Sequence, residues 1–383
     1  MRQKIKNKRA IQLLFLFLRK IYRYYRPTPT TPSVLITRYE RNAMSAYLPQ
    51  GLPENELHVQ LTGAGLVRIH QGKVRDTYSL PDHPDLLLQV ATDRISIFDF
   101  VLNAQVPFKG EVLTAMTVFW LTSVLHNHPH HLFAHGISID KFLPHDLSDN
   151  LELQKRGLVV CKLEMYKIEL IVRGYLTGSG WQNYQQTGKV YGIDMPPNLY
   201  DGSQLPNAIF TPTTKAETGH DKPIDPAMVH PRVAGLVRKI YAEATAYAEL
   251  CGIIIADTKF ETDFNGTLAD EVLTPDSSRF WLKHEWEAAQ REKRAPSGYD
   301  KELVRKWGKQ VSIPPLSSEE ETEKHFGIHH LDPDNPNHRA FVHELVVPAD
   351  LLQQTSSRYL EIFGLLTDQE LREFQREMMD LPT

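Results

Sequence analysis

The segment that most constrains this chain is Ile253-Ile-Ile-Ala256, followed at once by Asp257-Thr-Lys-Phe-Glu261. A short apolar run just after a glycine reads as a buried strand. Alternate residues of a strand share a face, so Asp257, Lys259 and Glu261 project together as carboxylate, ammonium and carboxylate. Asp270 and Glu271 follow, beyond a hairpin turn expected around Asn265-Gly266. Two hairpin arms bearing carboxylates suit Mg2+, which takes one or two carboxylates and completes its shell with phosphate oxygens. The 383 residues are enough for two domains, a real core and a cleft between halves.

Other polar clusters sit where strands end. Gly72-Lys-Val-Arg-Asp-Thr-Tyr-Ser79 lies between strand-like residues 66–69 and 86–91. A glycine followed by alternating cations, Lys73 and Arg75, suits a loop over phosphates. Residues 91–99 place Arg94 and Ser96 just after an apolar strand. Strand candidates at 158–163 and 168–172 lead into Arg173-Gly-Tyr-Leu-Thr-Gly-Ser-Gly-Trp181. There the glycines permit close approach to a ligand, and Arg173 is suited to a bidentate grip on a carboxylate or phosphate. Residues 210–221 hold Lys215, His220 and Asp221 in a loop dense in reactive groups. Asp276, Ser277 and Arg279 form a turn before Phe280-Trp281. Residues 111–126 read as a helix with Leu113, Met116, Trp120 and Val124 in the core. The histidines that follow (126, 128, 130, 131, 135) read as a solvated loop, because Pro129 breaks the spacing and no cysteine or carboxylate interleaves. Residues 233–251 read as a helix stopped at Gly252.

Charge divides the chain in two. Residues 1–43 hold 11 Lys/Arg and one acid, a net of +10, so the formal charge of −4 leaves −14 on the rest. A body that acidic is a poor general binder of nucleic acid. Anionic ligands must be held by local cations and backbone N–H groups. The two cysteines fit neither a metal spacing nor a disulfide framework, which indicates a reducing, cytoplasmic setting. No apolar stretch reaches the roughly 20 residues that span a bilayer. Residues 1–43 are read as a dispensable basic extension before a start at Met44, and the fold is argued without them.

Taken together, several blocks resemble the phosphoribosylaminoimidazole-succinocarboxamide synthase (SAICAR synthetase) family. They are Gly72-Lys-Val-Arg-Asp76, Thr92-Asp-Arg-Ile-Ser96, residues 172–181, residues 210–221, Ala256-Asp-Thr-Lys-Phe-Glu261 and residues 270–281. Residues 296–307 also match. Coverage runs from about residue 44 to 315, with a return near 347–366. The resemblance implies an α+β fold: a kinase-like N-terminal lobe (44–160) with an antiparallel sheet and a hairpin over the nucleotide, a larger C-terminal α+β lobe (161–383), and a cleft between. It implies an ATP-dependent ligase that joins the carboxylate of carboxyaminoimidazole ribonucleotide (CAIR) to the amine of L-aspartate, through an acyl phosphate, with Mg2+. Small molecules are then the only expected partners.

The resemblance also implies roles. Lys73 and Arg75 contact the ATP phosphates, and Lys162, Glu164 and Met165 belong to a hinge that holds adenine through the backbone. Glu261 and Asp270 bind Mg2+, Lys259 neutralises the transferring phosphoryl, and Lys215, lining the cleft, and Asp257, close to the ribonucleotide, count with it as catalytic. Arg173, Ser179 and Arg279 hold the ribonucleotide, with Asp276 close by. Arg94 and Ser96 hold aspartate. His220 and Asp221 line the cleft. The sequence departs from the family pattern at Lys167, at Lys222-Pro223 and at Thr262-Asp263-Phe264, and residues 317–346 read as an insertion on the surface or at an oligomer contact. A phosphotransferase or a non-catalytic nucleotide-binding module are the competing readings. Lys73, Lys259, Glu261 and Asp270 being all present argues against the second.

Overall fold

The computed structural model describes residues 56–215, 221–314 and 325–382. The extension at 1–43, the start at Met44, His220 and the first part of the insertion lie outside these residues. After helix α1 (Glu56–Gly63), strands β1 (Arg68–Gln71), β2 (Arg75–Ser79) and β3 (Leu86–Ala91) form antiparallel hairpins. A second hairpin, β4 (Arg94–Ile97) and β5 (Phe100–Gln105), leads into helix α2 (Lys109–Phe119), which runs on as a π-helical turn to Val124. Next come β6 (Leu132–His135), α3 (Leu151–Arg156) and β7 (Gly157–Cys161). The first sheet has the order β1-β2-β3-β7-β6, with every neighbour antiparallel. Its strands alternate as the pleat demands. Leu88, Val90 and Val159 pack on α1 and α3, whereas Ala91, Leu158 and Val160 join the large core around α2.

The chain then builds a second sheet. β8 (Ile168–Tyr175) leads into α4 (Gly178–Thr187) and a short hairpin, β9 (Lys189–Val190) with β10 (Ile193–Asp194). β11 (Gln204–Phe210) and β12 (Thr213–Thr214) return along β8. Helix α5 (Pro231–Leu250) buries Val233, Val237, Ile240, Tyr241, Ala244 and Ala248 at helical spacing and ends at Gly252 with φ +73°. It packs on β13 (Ile253–Thr262), the central strand. β13 pairs antiparallel with β8, β14 (Leu268–Ala269) and β15 (Ser278–Leu282). The apolar run thus lies between two long neighbours under a helix, which is why it carries Ile at three successive positions.

The C-terminal part wraps back. α6 (Lys283–Arg291) and α7 (Glu302–Gly308) precede a short antiparallel pair, β16 (Ser312–Ile313) with β17 (His325–Phe326). α8 (Pro336–Glu344), α9 (Ala349–Thr367) and α10 (Leu371–Met378) close the chain. The described part of the expected insertion is not a surface excursion. Ile328, Leu331 and Val342 share a core with Ile95, Ile97, Phe100 and Leu102 of the β4–β5 hairpin and Val304 of α7. The histidine loop also departs from expectation. His128 is buried against Glu243 at 2.6 Å, and His131 is 3% exposed. The reason is backbone pairing: His131 N–H donates to the Leu268 carbonyl and its own carbonyl accepts from Cys161, so the loop is sewn between the sheets.

Candidate active site

The two sheets, with α7 along one rim, line a cleft of about 1290 Å3. β13 supplies its floor through a change of phase. Ile253 and Ile255 point into the large core, while Ile254 and Ala256 pack against Trp281 on the other face. Strict alternation would send Asp257, Lys259 and Glu261 into the core beside Ile255. The register against β15 shifts instead, from Ile255 opposite Phe280 to Asp257 opposite Arg279, so one extra residue bulges. Beyond it Phe260 enters the core, and Asp257, Lys259 and Glu261 line the cleft. The bulge carbonyls are held: Tyr241 OH donates to Ile255 O at 2.7 Å and lies 3.3 Å from Ala256 O. Gly174 on β8 makes the room, because a Cβ there would stand 2.5 Å from that hydroxyl.

At one end two guanidiniums converge. Arg173 and Arg279 donate to the same Asp257 Oδ2, at 2.7 and 2.5 Å. Arg173 also donates to Thr211 Oγ1 at 2.9 Å and reaches Ser179 Oγ at 3.3 Å. Ser179 opens α4, where free N–H groups favour an anion. Gly178 (φ +57°) permits the approach, since a Cβ would sit 2.4 Å from the Arg279 guanidinium. A carboxylate shared between two arginines leaves donors of both free for a phosphate or carboxylate.

Further along, carboxylates and ammonium groups alternate. Lys259 Nζ lies 2.5 Å from Glu169 and 3.8 Å from Glu261. Glu261 is also bonded by Lys215, and Arg75 reaches across from the first sheet to Asp270 at 2.6 Å. Burial lowers the pKa of Lys259, but Glu169 and Glu261 outweigh it and hold the ammonium above its usual range. Burial and then the charge of Asp270 push Glu261 up. Burial also raises Asp270, but Arg75, Lys215 and Lys259 hold it below the carboxylate range. Glu261 lies opposite Ala269 in the hairpin, and Asp270, next in the chain, leaves the strand with φ +55°, close enough for its charge to act on Glu261. The turn is made by Asp263, whose Oδ1 accepts from the N–H groups of Asn265 and Thr267. That departure from the family pattern therefore shapes the turn, and Phe264 stacks near Tyr166 at 4.9 Å. Among the described residues no group of three or more His, Cys, Asp or Glu side chains is placed to hold a metal alone. Two facing carboxylates fit a cation whose remaining ligands are phosphate oxygens.

The glycine hairpin forms the roof. Lys73 lies on the cleft, 2.5 Å from Asp99, and Gly72 N–H donates to Arg75 O. Leu87, Val160, Leu163 and Met165 offer an apolar wall beneath it. Of the residues expected in the site, Lys73, Arg75, Ser96, Met165, Arg173, Ser179, Lys215, Asp221, Asp257, Lys259, Glu261, Asp270, Asp276 and Arg279 all line this one cleft.

Three residues do not join them. Arg94 is buried behind the hairpin, bonded to Asp76 at 2.5 Å and to Gly72 O at 3.0 Å, where it braces the loop. Lys162 and Glu164 have exposed side chains on the segment joining the sheets, where an adenine hinge would use backbone groups, and Lys162 N–H is taken by Asp85 O. Asp276 reaches the cleft with both oxygens engaged, by Lys109 at 2.6 Å and Tyr359 OH at 2.6 Å. Sequence reasoning missed Lys109, Glu169, Tyr359, Asp300, Lys301 and Arg305. Asp300, Lys301 and Arg305 lie in the matching block at 296–307, which was the available signal. Nothing local marks the other partners, which arrive from distant segments.

The comparisons with known proteins agree. The SAICAR synthetase family profile matches residues 68–317. A phosphoribosylaminoimidazole-succinocarboxamide synthase of Neisseria meningitidis is 41% identical over 316 residues, covering 79% of this chain and 98% of its own. One of Stenotrophomonas maltophilia is 44% identical over 292 residues, covering 69% of this chain and 92% of its own. A solved SAICAR synthase of Saccharomyces cerevisiae, complexed with SAICAR, is 35% identical with a TM-score of 0.63, and the match covers 80% of this chain and 96% of that one.

Proposed function

The chain belongs to the SAICAR synthetase family and is a carbon–nitrogen ligase, and from this we propose how its cleft joins the carboxylate of CAIR to the amine of L-aspartate at the expense of ATP. The observation that carries the reading is one cleft holding the Arg173–Asp257–Arg279 cluster at one end and the Lys259–Glu261–Asp270 cluster further along. Their presence in one cleft suits one substrate with an anionic tail and a reacting carboxylate.

A carboxylate is a poor electrophile for an amine. Moving the ATP γ-phosphoryl onto it gives an acyl phosphate, from which the amine expels phosphate. Protein groups contribute positioning and charge neutralisation, as in other phosphoryl transfers. Adenine lies on the wall of Leu87, Val160, Leu163 and Met165, with the phosphates under Lys73 and Arg75. Lys259 and Lys215 meet the charge that spreads over the transferring group. Arg173, Arg279 and Ser179 hold the ribonucleotide phosphate, and Asp257 acts as a positioning residue that fixes both guanidiniums. Glu261 and Asp270 would hold Mg2+, which neutralises phosphate oxygens when bound. The body is thereby read as a nucleotide lobe at 44–160 and a substrate lobe at 161–383.

The test is coupled ADP release with one substrate omitted at a time. ADP release requires both CAIR and L-aspartate. Full-rate release without the amino acid would make the protein a phosphotransferase. Glu261→Gln lowers turnover by at least 100-fold with an unchanged circular dichroism spectrum, on the order of what a lost transition-state contact costs; near-normal turnover would remove Glu261 from the metal site.

A further inference from the structure

The segment read as an insertion ends against the roof of the cleft. Gly327 (φ +96°) donates its N–H to Val311 O at 2.8 Å, and Ile328 is buried in the core it shares with Ile97, Phe100 and Val304. These two anchors place the next residue, His329, with its ring centroid 5.5 Å from that of Phe98. A Cβ at position 327 would stand 2.3 Å from the His329 ring, so a side chain there would displace it. Gly308, at the end of α7, makes room from the other side, where a Cβ would lie 2.5 Å from Ile97 and 3.4 Å from Phe98. His329 and Phe98 both line the cleft.

Phe98 and Asp99 are the two residues between β4 and β5, where Ile97 lies opposite Phe100. Both have positive φ, +50° and +68°. Hairpin turns of this hand ordinarily carry Asn-Gly, and a bulky aromatic at positive φ persists only where its surroundings hold it. Here His329 covers the ring. The turn bears on the site because Asp99 accepts from Lys73 Nζ at 2.5 Å. Lys73 is 54% exposed, on a flexible four-carbon stem. An ammonium has three donors, so Asp99 engages one and leaves two for phosphate oxygens. We propose that His329 and Phe98 are positioning residues for the nucleotide: their contact holds the Phe98–Asp99 turn, and the turn holds Lys73 over the cleft. The end of the insertion thus braces the roof from outside, as Arg94 braces it from behind. A lysine fixed beforehand gives up less side-chain freedom when the nucleotide arrives. The inference rests on the ligase reading above for the identity of that nucleotide.

The experiment is isothermal titration calorimetry of Mg-ATP, with no other substrate present, on the full chain and on His329→Ala, His329→Phe, Asp99→Gly and the double variant His329→Ala, Asp99→Gly. Glycine at 99 removes the carboxylate and accepts the positive φ. Mobilising one long side chain weakens binding on the order of 3–10-fold. His329→Ala and Asp99→Gly each raise the Kd by that factor, and the double variant raises it no further than either alone. His329→Phe keeps a ring on Phe98 and stays within about twofold of the wild type. In steady-state kinetics His329→Ala raises the KM for ATP and leaves those for CAIR and L-aspartate within about twofold. Circular dichroism melting establishes that each variant is folded, and Asp99→Gly, on the exposed turn, carries the case if His329→Ala is not. An unchanged Kd in Asp99→Gly or His329→Ala overturns the proposal. So do losses that add in the double variant, which would give His329 a contact of its own with the nucleotide. A wild-type protein that binds no Mg-ATP defeats the ligase reading and this inference with it, whereas unchanged affinity in the variants of a protein that binds Mg-ATP defeats the inference alone.

Discussion

Lys109 is fully buried at the start of α2, and its charge is met by Asp276 at 2.6 Å. Tyr359 OH takes the other oxygen. Burial raises the Asp276 pKa, but Lys109 and Lys301 outweigh it and keep the carboxylate ionised. Breaking such a pair leaves an uncompensated buried charge and costs roughly 3–5 kcal/mol. Lys109→Met is therefore expected to lose that much stability in urea unfolding, and Lys109→Met with Asp276→Asn to recover a good part of it. Additive losses would show that the two do not interact. Asp276 was legible as a site residue because it stands in a matching block, but its partners were not, because a pair this remote in sequence leaves no local pattern. Lys301 gives a second test. Burial lowers it to about 8, with Asp276 opposing and Arg305 assisting. If its charge serves an anionic substrate in the cleft, the KM for that substrate is flat below pH 8 and climbs above it, and the climb is absent in Lys301→Gln. The sign for stability is opposite. Between pH 8 and the unfolded value of about 10.4 the unfolded chain binds more protons at this lysine, so its contribution to stability grows with pH. Lost affinity in that window is then not unfolding at Lys301.

At the level of elements, β13 shows what pattern reading delivers and where it stops. Its apolar run, its charged continuation and the following hairpin were all legible, because each rests on residues close in sequence. The bulge was not. Parity alone puts Asp257 on the face of Ile255, and only packing of Phe260 inward shows the phase change. Tyr241 and Gly174, on two other elements, sustain it. Tyr241→Phe keeps the ring and removes the donor to a buried carbonyl, an expected loss of about 1–3 kcal/mol. Turnover should fall with it as Asp257, Lys259 and Glu261 lose their shared bearing. Gly174→Ala crowds the hydroxyl in the wild type and should cost less in the Tyr241→Phe background, where the hydroxyl is gone. Equal costs in both backgrounds would mean that Gly174 serves something other than Tyr241. The described end of the insertion makes the same point about elements. It reads as polar surface because its apolar residues are spread over Ile328, Leu331 and Val342, and only the β4–β5 hairpin gathers them into a core.

Across the whole molecule, the first and second sheets are joined rather than merely apposed. Pro129 O accepts from Leu268 N–H, Leu268 O from His131 and Thr262 O from Tyr166. One hydrophobic cluster runs from Leu158 and Val160 of the first sheet through α2 to Ile253, Ile255 and Phe260 of the second, and on to Tyr359 and Phe374 at the C-terminal end. Two lobes were an expectation of the resemblance, and the seam between the sheets was not legible, because residues 129–131 and 268 carry no mutual signal in one sequence. Two weakly touching domains would unfold separately. A shared core predicts that they melt together, with the calorimetric enthalpy equal to the van't Hoff enthalpy despite the length of the chain. Ligands sharpen the argument, because the cations proposed to bind phosphate come from both sheets. Mg-ATP at about 100 times its Kd adds about 2.7 kcal/mol to the state that binds it. In a single cooperative unit that increment moves the entire transition. In a pair of independent domains it would split the endotherm and shift only one part, so differential scanning calorimetry with and without nucleotide decides whether the cleft is a feature of one body or of two.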